Sequence, residues 1–201
     1  MIIGLAGGTG SGKSMIARSL VERYGGCVID ADSYYRDRGA LSLPARTRIS
    51  YDDPTAIDVA LLVGQLAALR RGETVRKPVY SFETHARTGV EVVAPARLVL
   101  VEGLFVLWWE SLRSLLDVKM FVDAPPDLRL IRRIRRDLAE RGRTLEQVLQ
   151  QYSGTVRSMH ERYVEPTRAH ADLVVTNDGP VDAAVELVIT LVRRRSAGVP
   201  G

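Results

Sequence analysis

Two rhythms of apolar and polar residues alternate along the chain. Short, nearly continuous apolar runs at IIGLA (2–6), CVI (27–29), LVLV (98–101), VKMFV (118–122) and LVV (173–175) have the length and composition of strands buried on both faces of a parallel sheet. Between them lie stretches whose apolar positions recur every three or four residues, as in amphipathic helices: 15–24, 55–71, 125–143, 144–164 and 181–196. Gly25 and Gly72 stop the first two of these, and prolines open the third. Trp108 and Trp109 are expected to start a further short helix reaching Leu116. Residues 36–54, rich in Arg, Pro, Ser and Asp, read as a loop with one short helical turn, and so long a loop is usually functional. About residues 74–95 the pattern changes to two extended segments joined by ETHARTG, with Tyr80 and Phe82 alternating onto one side.

Length and 46% apolar content fit one α/β domain over residues 1–201. One cysteine, Cys27, excludes an internal disulfide, and no run resembles a signal peptide or membrane span, so a cytoplasmic protein with no membrane partner is expected. The net charge of +4 rests on 25 arginines and three lysines. Arginine is the planar, bidentate partner of phosphate oxygens, and no stretch interleaves basic with aromatic residues, so small anions rather than nucleic acid are the expected partners.

The chemistry starts where the first strand ends. GGTGSGKS fits G-x-x-x-x-G-K-[ST], with Gly7 and Gly12 at the fixed positions and Gly8, Thr9, Gly10 and Ser11 between them. Such a loop turns backbone N–H groups inward onto a phosphate chain, aided by the helix N-terminus that follows; Lys13 then reaches the β and γ phosphates and Ser14 ligates Mg²⁺. A nucleoside triphosphate is the expected ligand. In a parallel sheet, ligands gather at the carboxyl ends of the strands, so Asp30 and Asp32, two apart on an extended chain, are expected to share a face towards the γ phosphate. A second reading makes them turn-forming residues that cap the next helix. Glu102 ends the central strand, where a charge is expensive unless used, and is the expected acid for the Mg²⁺ shell. Arg129, Arg132, Arg133 and Arg136 recur at helical spacing, with Arg141 and Arg143 beyond them. So dense a basic set repels itself unless an anion lies near, which favours a phosphate-clamping lid over a merely solvated face. The paired extended segments are either a flap whose aromatics hold a flat ring or an edge hairpin. His160 and His170 read as surface or packed residues.

Taken together, GGTGSGKS, DSYY, YDDP, PVYSFETH, LVEGLF, FVD, RRIRRDLAERGR and EPTRAHAD resemble the uridine kinase (uridine-cytidine kinase) family in order and spacing across nearly the whole chain. The resemblance implies a P-loop NTPase fold of class α/β: a five-stranded parallel sheet flanked by helices, a small β-hairpin flap about 74–95, and an arginine-rich helical lid about 129–143. It implies ATP with Mg²⁺ as donor and the 5′ hydroxyl of uridine or cytidine as acceptor. By position, Asp32 corresponds to the catalytic base, assisted by Lys13, Arg136 and Arg141; Asp52 and Arg133 correspond to ribose ligands. Tyr80, Phe82 and His85 fall in the base pocket, Tyr35 among the substrate-binding residues, Arg143 in the lid, and Gln151 and Tyr152 near the nucleoside. The chain departs from the family at TNDG, where Pro, a variable residue and Gly are frequent, which bears on the adenine side and donor preference. Kinases of other small hydroxylated acceptors (phosphoribulose, pantothenate, nicotinamide riboside) and P-loop ATPases or switches are the competing readings; homo-oligomerisation is left open.

Overall fold

A computed structural model describes residues 1–47, 49–179 and 181–197. The first apolar run forms β1 (Ile2–Ala6), and helix α1 (Lys13–Tyr24) follows the glycine loop. Next come β2 (Cys27–Asp30), a 3-10 turn (Ala31–Tyr34), the short α2 (Leu43–Thr47) and α3 (Val59–Arg70). An antiparallel pair, β3 (Val75–Ser81) and β4 (Ala86–Val93), precedes β5 (Val99–Glu102), α4 (Glu110–Arg113) and β6 (Val118–Asp123). Then α5 (Pro126–Glu140) leads into α6 (Leu145–Gln151), which continues through wide π turns, α7 (Arg157–Met159) and a 3-10 stretch to β7 (Leu173–Thr176) and α8 (Val181–Ala197).

The five apolar runs make one parallel sheet in the order β2-β5-β1-β6-β7. All of β1 is buried, and its alternation divides the core. Ile2 and Ala6 belong to a cluster with Leu62, Leu66, Phe105 and Leu112, under α3, α4 and the hairpin; Ile3 and Leu5 belong to one with Ile16, Leu20, Val185 and Val188, under α1 and α8. Adjacent registers bring Asp30 beside Glu102, and Glu102 beside Leu5, so both acids stand at carboxyl ends flanking the phosphate loop. Among the described residues no helix is long and apolar enough to cross a membrane. The arginines at 193–195, at the end of α8, have side chains outside the described residues.

Several boundaries differ from the periodicity. The helix expected from Thr55 starts at Val59, because Asp53 accepts from Thr55 N and caps a separate 3-10 turn, while Asp58 caps α3 itself through Leu61 N. Trp109 is only the N-cap of α4, and the hairpin turn closes one residue before Ala86. The continuous helix expected over 144–164 is interrupted by two π windings, at Tyr152–Val156 and His160–Val164. Single π windings arise inside otherwise α-helical stretches, and helical period alone does not place them.

Candidate active site

The phosphate loop depends on glycine for physical reasons. Gly7, Gly10 and Gly12 all have positive φ, and a Cβ on Gly12 would collide with the Asn177 side-chain amide. Asn177, from the TNDG segment, is almost fully buried and donates from Nδ2 to Ser11 O at 2.8 Å. It is tied from both sides, since its N–H donates to Asp123 O (2.8 Å) and its carbonyl accepts from Arg132 (2.9 Å). Arg129, buried, donates to Ala124 O at 3.0 Å and lies across Gly8 and Gly10, with His160 against Gly8. Neither Asn177 nor Arg129 was assigned to the loop from sequence. The departure at TNDG marked the place of the first, and no periodic signal distinguishes Arg129 from its neighbours.

The aspartates that the extended reading placed on one face instead do two different jobs. The chain turns into a 3-10 helix after β2, so Asp30 caps it, accepting from Ser33 N (2.8 Å) and Ser33 Oγ (2.6 Å), and pairs with Lys77 of β3 at 3.4 Å. Asp32, one residue into the turn, lines a cavity of about 500 Å³ together with Thr9 and Lys13. Burial raises the Asp32 carboxyl above its ordinary value; Lys13 opposes this and Asp30 adds to it. Ser14 Oγ donates to Glu102 Oε1 at 2.6 Å, and burial likewise raises Glu102, against Lys13 and the Ser14 bond. Two hard oxygen donors thus lie side by side at the strand end, a set that fits Mg²⁺.

Opposite the phosphate loop the cavity is aromatic. Tyr51 stacks on His85 (centroids 5.0 Å, 25° apart) and meets Tyr35 edge-on at 5.2 Å; Phe82 faces the cavity beneath the Arg141 guanidinium, 4.0 Å above its ring. His85 has φ +51° in the hairpin turn, and its buried Nδ1 has no hydrogen-bond partner. Burial, then Arg143 and Arg46, lower its imidazole pKa, so the ring is neutral at pH 7. Tyr80 lies behind this wall, 5.1 Å from Tyr35 and 5.5 Å from Phe82. Tyr51 was not singled out from sequence, although it adjoins Asp52 in the long loop.

Asp52 lines the same cavity and accepts from Gln151 Nε2 (3.5 Å) and Thr155 Oγ1 (3.4 Å). Burial raises its carboxyl, opposed first by Arg133. Gln151 Oε1 in turn accepts from Arg133 (2.7 Å) and Arg143 (2.5 Å). Arg133 and Arg136 each reach Thr9 Oγ1 at 3.4 Å, so the α5 arginines touch the phosphate loop itself. Tyr152 opens the first π winding and is not among the residues lining this cavity.

A glycine phosphate cradle, an acid pair at neighbouring strand ends, a buried aspartate and converging arginines, all on a five-stranded parallel sheet, define a P-loop phosphotransferase. Residues 2–184 match the phosphoribulokinase / uridine kinase family. Similar curated proteins are the uridine kinase of Alkaliphilus metalliredigens, 43% identical over 98% of both chains, and that of Halalkalibacterium halodurans, 42% identical over 96% of this chain and 93% of that one. Among solved structures, one from Silicibacter sp. TM1040 superposes with a TM-score of 0.70 at 22% identity, over 87% of this chain and 88% of the other. The chain belongs to the phosphoribulokinase / uridine kinase family, a kinase family for which ATP is the cosubstrate.

Proposed function

We propose that the protein transfers the γ-phosphoryl group of ATP to the 5′ hydroxyl of uridine or cytidine. The observation that carries this reading is that Asp32 lies in one cavity with Lys13 at the phosphate end and the Tyr51, Phe82 and His85 wall at the other. That wall suits a flat ring, while Asp52 and Gln151 offer acceptors and donors to ribose hydroxyls. The names of the relatives point to the same acceptor.

Asp32 takes or orients the proton of the acceptor hydroxyl, and its raised pKa matches a general base better than an ordinary carboxylate does. Lys13, Arg136 and Arg141 stabilise charge on the phosphoryl group in transit, and Arg143 steadies the phosphate end. Ser14 and Glu102 would hold Mg²⁺, whose contribution when bound is to draw charge from phosphate oxygens. The neutral His85 ring presents one donor and one acceptor nitrogen, so a tautomer change lets it pair with the carbonyl of uridine or the amino group of cytidine. Residues 1–201 act as one kinase unit with a flap (about 74–95) and a lid (about 129–143) in a reducing cytoplasm, where the lone Cys27 needs no partner.

An acceptor screen tests the reading: ADP formation from ATP with uridine, cytidine, ribulose 5-phosphate, pantothenate or nicotinamide riboside. Turnover with the two pyrimidine nucleosides is expected. Preference for another acceptor, or equal ADP release without any acceptor, would overturn it.

A further inference from the structure

Asp137 is a charged residue to which the phosphotransferase scheme gives no task, and among the described residues none of the charged side chains is more enclosed. It sits in the last turn of α5 with a side chain that exposes no surface, amid four guanidiniums. Oδ1 accepts from Arg136 Nε (2.9 Å) and Nη2 (2.7 Å), while Oδ2 accepts from Arg143 Nη1 (3.2 Å). Arg133 Nε is 3.6 Å and Arg141 Nε 3.7 Å away. Its backbone carbonyl accepts from the N–H groups of Arg141 and Arg143, which binds the turn at Gly142 to the helix end.

We propose that Asp137 is a positioning residue that acts as an internal stand-in for a phosphate oxygen, aiming the lid arginines at the phosphoryl group and tempering their pull on ground-state phosphates. This rests on the phosphotransferase reading of the site and not on the identity of the acceptor. Each of the four arginines lines the cavity, and Arg136 shares one Nη2 between Asp137 and Thr9 of the phosphate loop. The pocket therefore presents its cations already ordered before a nucleotide enters, with one of their charges cancelled from behind. Without that carboxylate the cluster would repel itself and clamp any polyphosphate that arrived. Tighter ground-state binding that is not matched in the transition state lowers kcat, because ATP and ADP are both held harder.

Burial works to raise the Asp137 carboxyl, and the arginines, Arg136 foremost, outweigh it, so the group stays charged at neutral pH. Asn has the shape of Asp and can still accept one hydrogen bond, but it lacks the charge, which makes Asp137→Asn the informative substitution.

The probe is inorganic tripolyphosphate, competing with ATP in a binding assay that contains no acceptor. For Asp137→Asn the expected results are tripolyphosphate binding tighter by about tenfold, a larger rise in Tm on adding it, and kcat lower by about tenfold. The double variant Asp137→Asn/Arg143→Gln removes one cation as well, and its tripolyphosphate affinity should return towards that of the parent. If the single variant folds poorly, its Tm rise with tripolyphosphate still reads the effect. Unchanged or weaker tripolyphosphate binding would overturn the proposal and leave Asp137 as scaffold, whatever happened to stability. Because no nucleoside takes part, a different acceptor specificity would leave this result untouched.

Discussion

The Asp32 carboxylate is held where charge is least comfortable, in a turn enclosed by the cavity walls and beside Asp30. Its raised pKa has a thermodynamic consequence: the folded state gains most from Asp32 below the ordinary carboxylate range and loses that gain as pH rises through the raised value. At neutral pH the charge is a cost to folding that serves catalysis. Asp32→Asn should therefore raise Tm at pH 7 while lowering kcat by roughly 10²- to 10⁴-fold with ATP binding kept, as measured by thermal melts and steady-state kinetics. Near-normal turnover would hand the base role elsewhere. The same logic gives the pH profile of the parent, in which kcat falls on acidification earlier than a surface aspartate would dictate. At His85 the effect is one of recognition. His85 lines the cavity, so His85→Leu should weaken kcat/KM for uridine and cytidine by about 1 to 3 kcal/mol, because the substrate group its ring would pair with is left unpaired. Unchanged values in that variant would make the ring a mere partner for Tyr51.

Elements bring these residues together by ending where they do. β2 stops at Asp30 and β5 at Glu102 in neighbouring registers, which sets two acids beside the loop that leaves β1. Strand ends were readable as apolar runs followed by charge. The divergence of Asp30 and Asp32 was not, because a 3-10 turn and one more residue of extended strand look alike in four letters, and the Ser33 hydroxyl settles the matter by satisfying Asp30. The segment after β7 gives a second case. Asn177 closes over the phosphate loop and holds the Ser11 carbonyl, so Asn177→Ala leaves a buried acceptor unpaired. The expected cost is about 1 to 3 kcal/mol, read as a roughly 5- to 150-fold rise in the KM for ATP, with the nucleoside KM little changed. Equal effects on both substrates would argue for a general loss of fold.

Over the whole molecule, the cluster on the α3 side of the sheet joins the strands to the hairpin through Leu62, Leu66, Val75 and Val93. Leu62 is fully buried there, so Leu62→Ala should destabilise the fold by about 2 to 5 kcal/mol in urea unfolding, and loosen the aromatic wall that rests on the same cluster. By itself the sequence determined the sheet strands, most helices and the phosphate loop, since burial on two faces, helical period and backbone freedom at glycine each leave a local mark in residues adjacent in the chain. The register of motifs along the chain also pointed to the family. Tertiary structure alone decided which charges cancel. The anion that the arginine run of α5 calls for is supplied in part by Asp137, one of its own members, turned inward with no exposed surface. It likewise decided that Tyr51 stacks on His85 and that Asn177 grips a loop far away in sequence. Such pairings form between segments brought close only when the sheet closes, and a charge or ring carries no local sign of the partner it will meet.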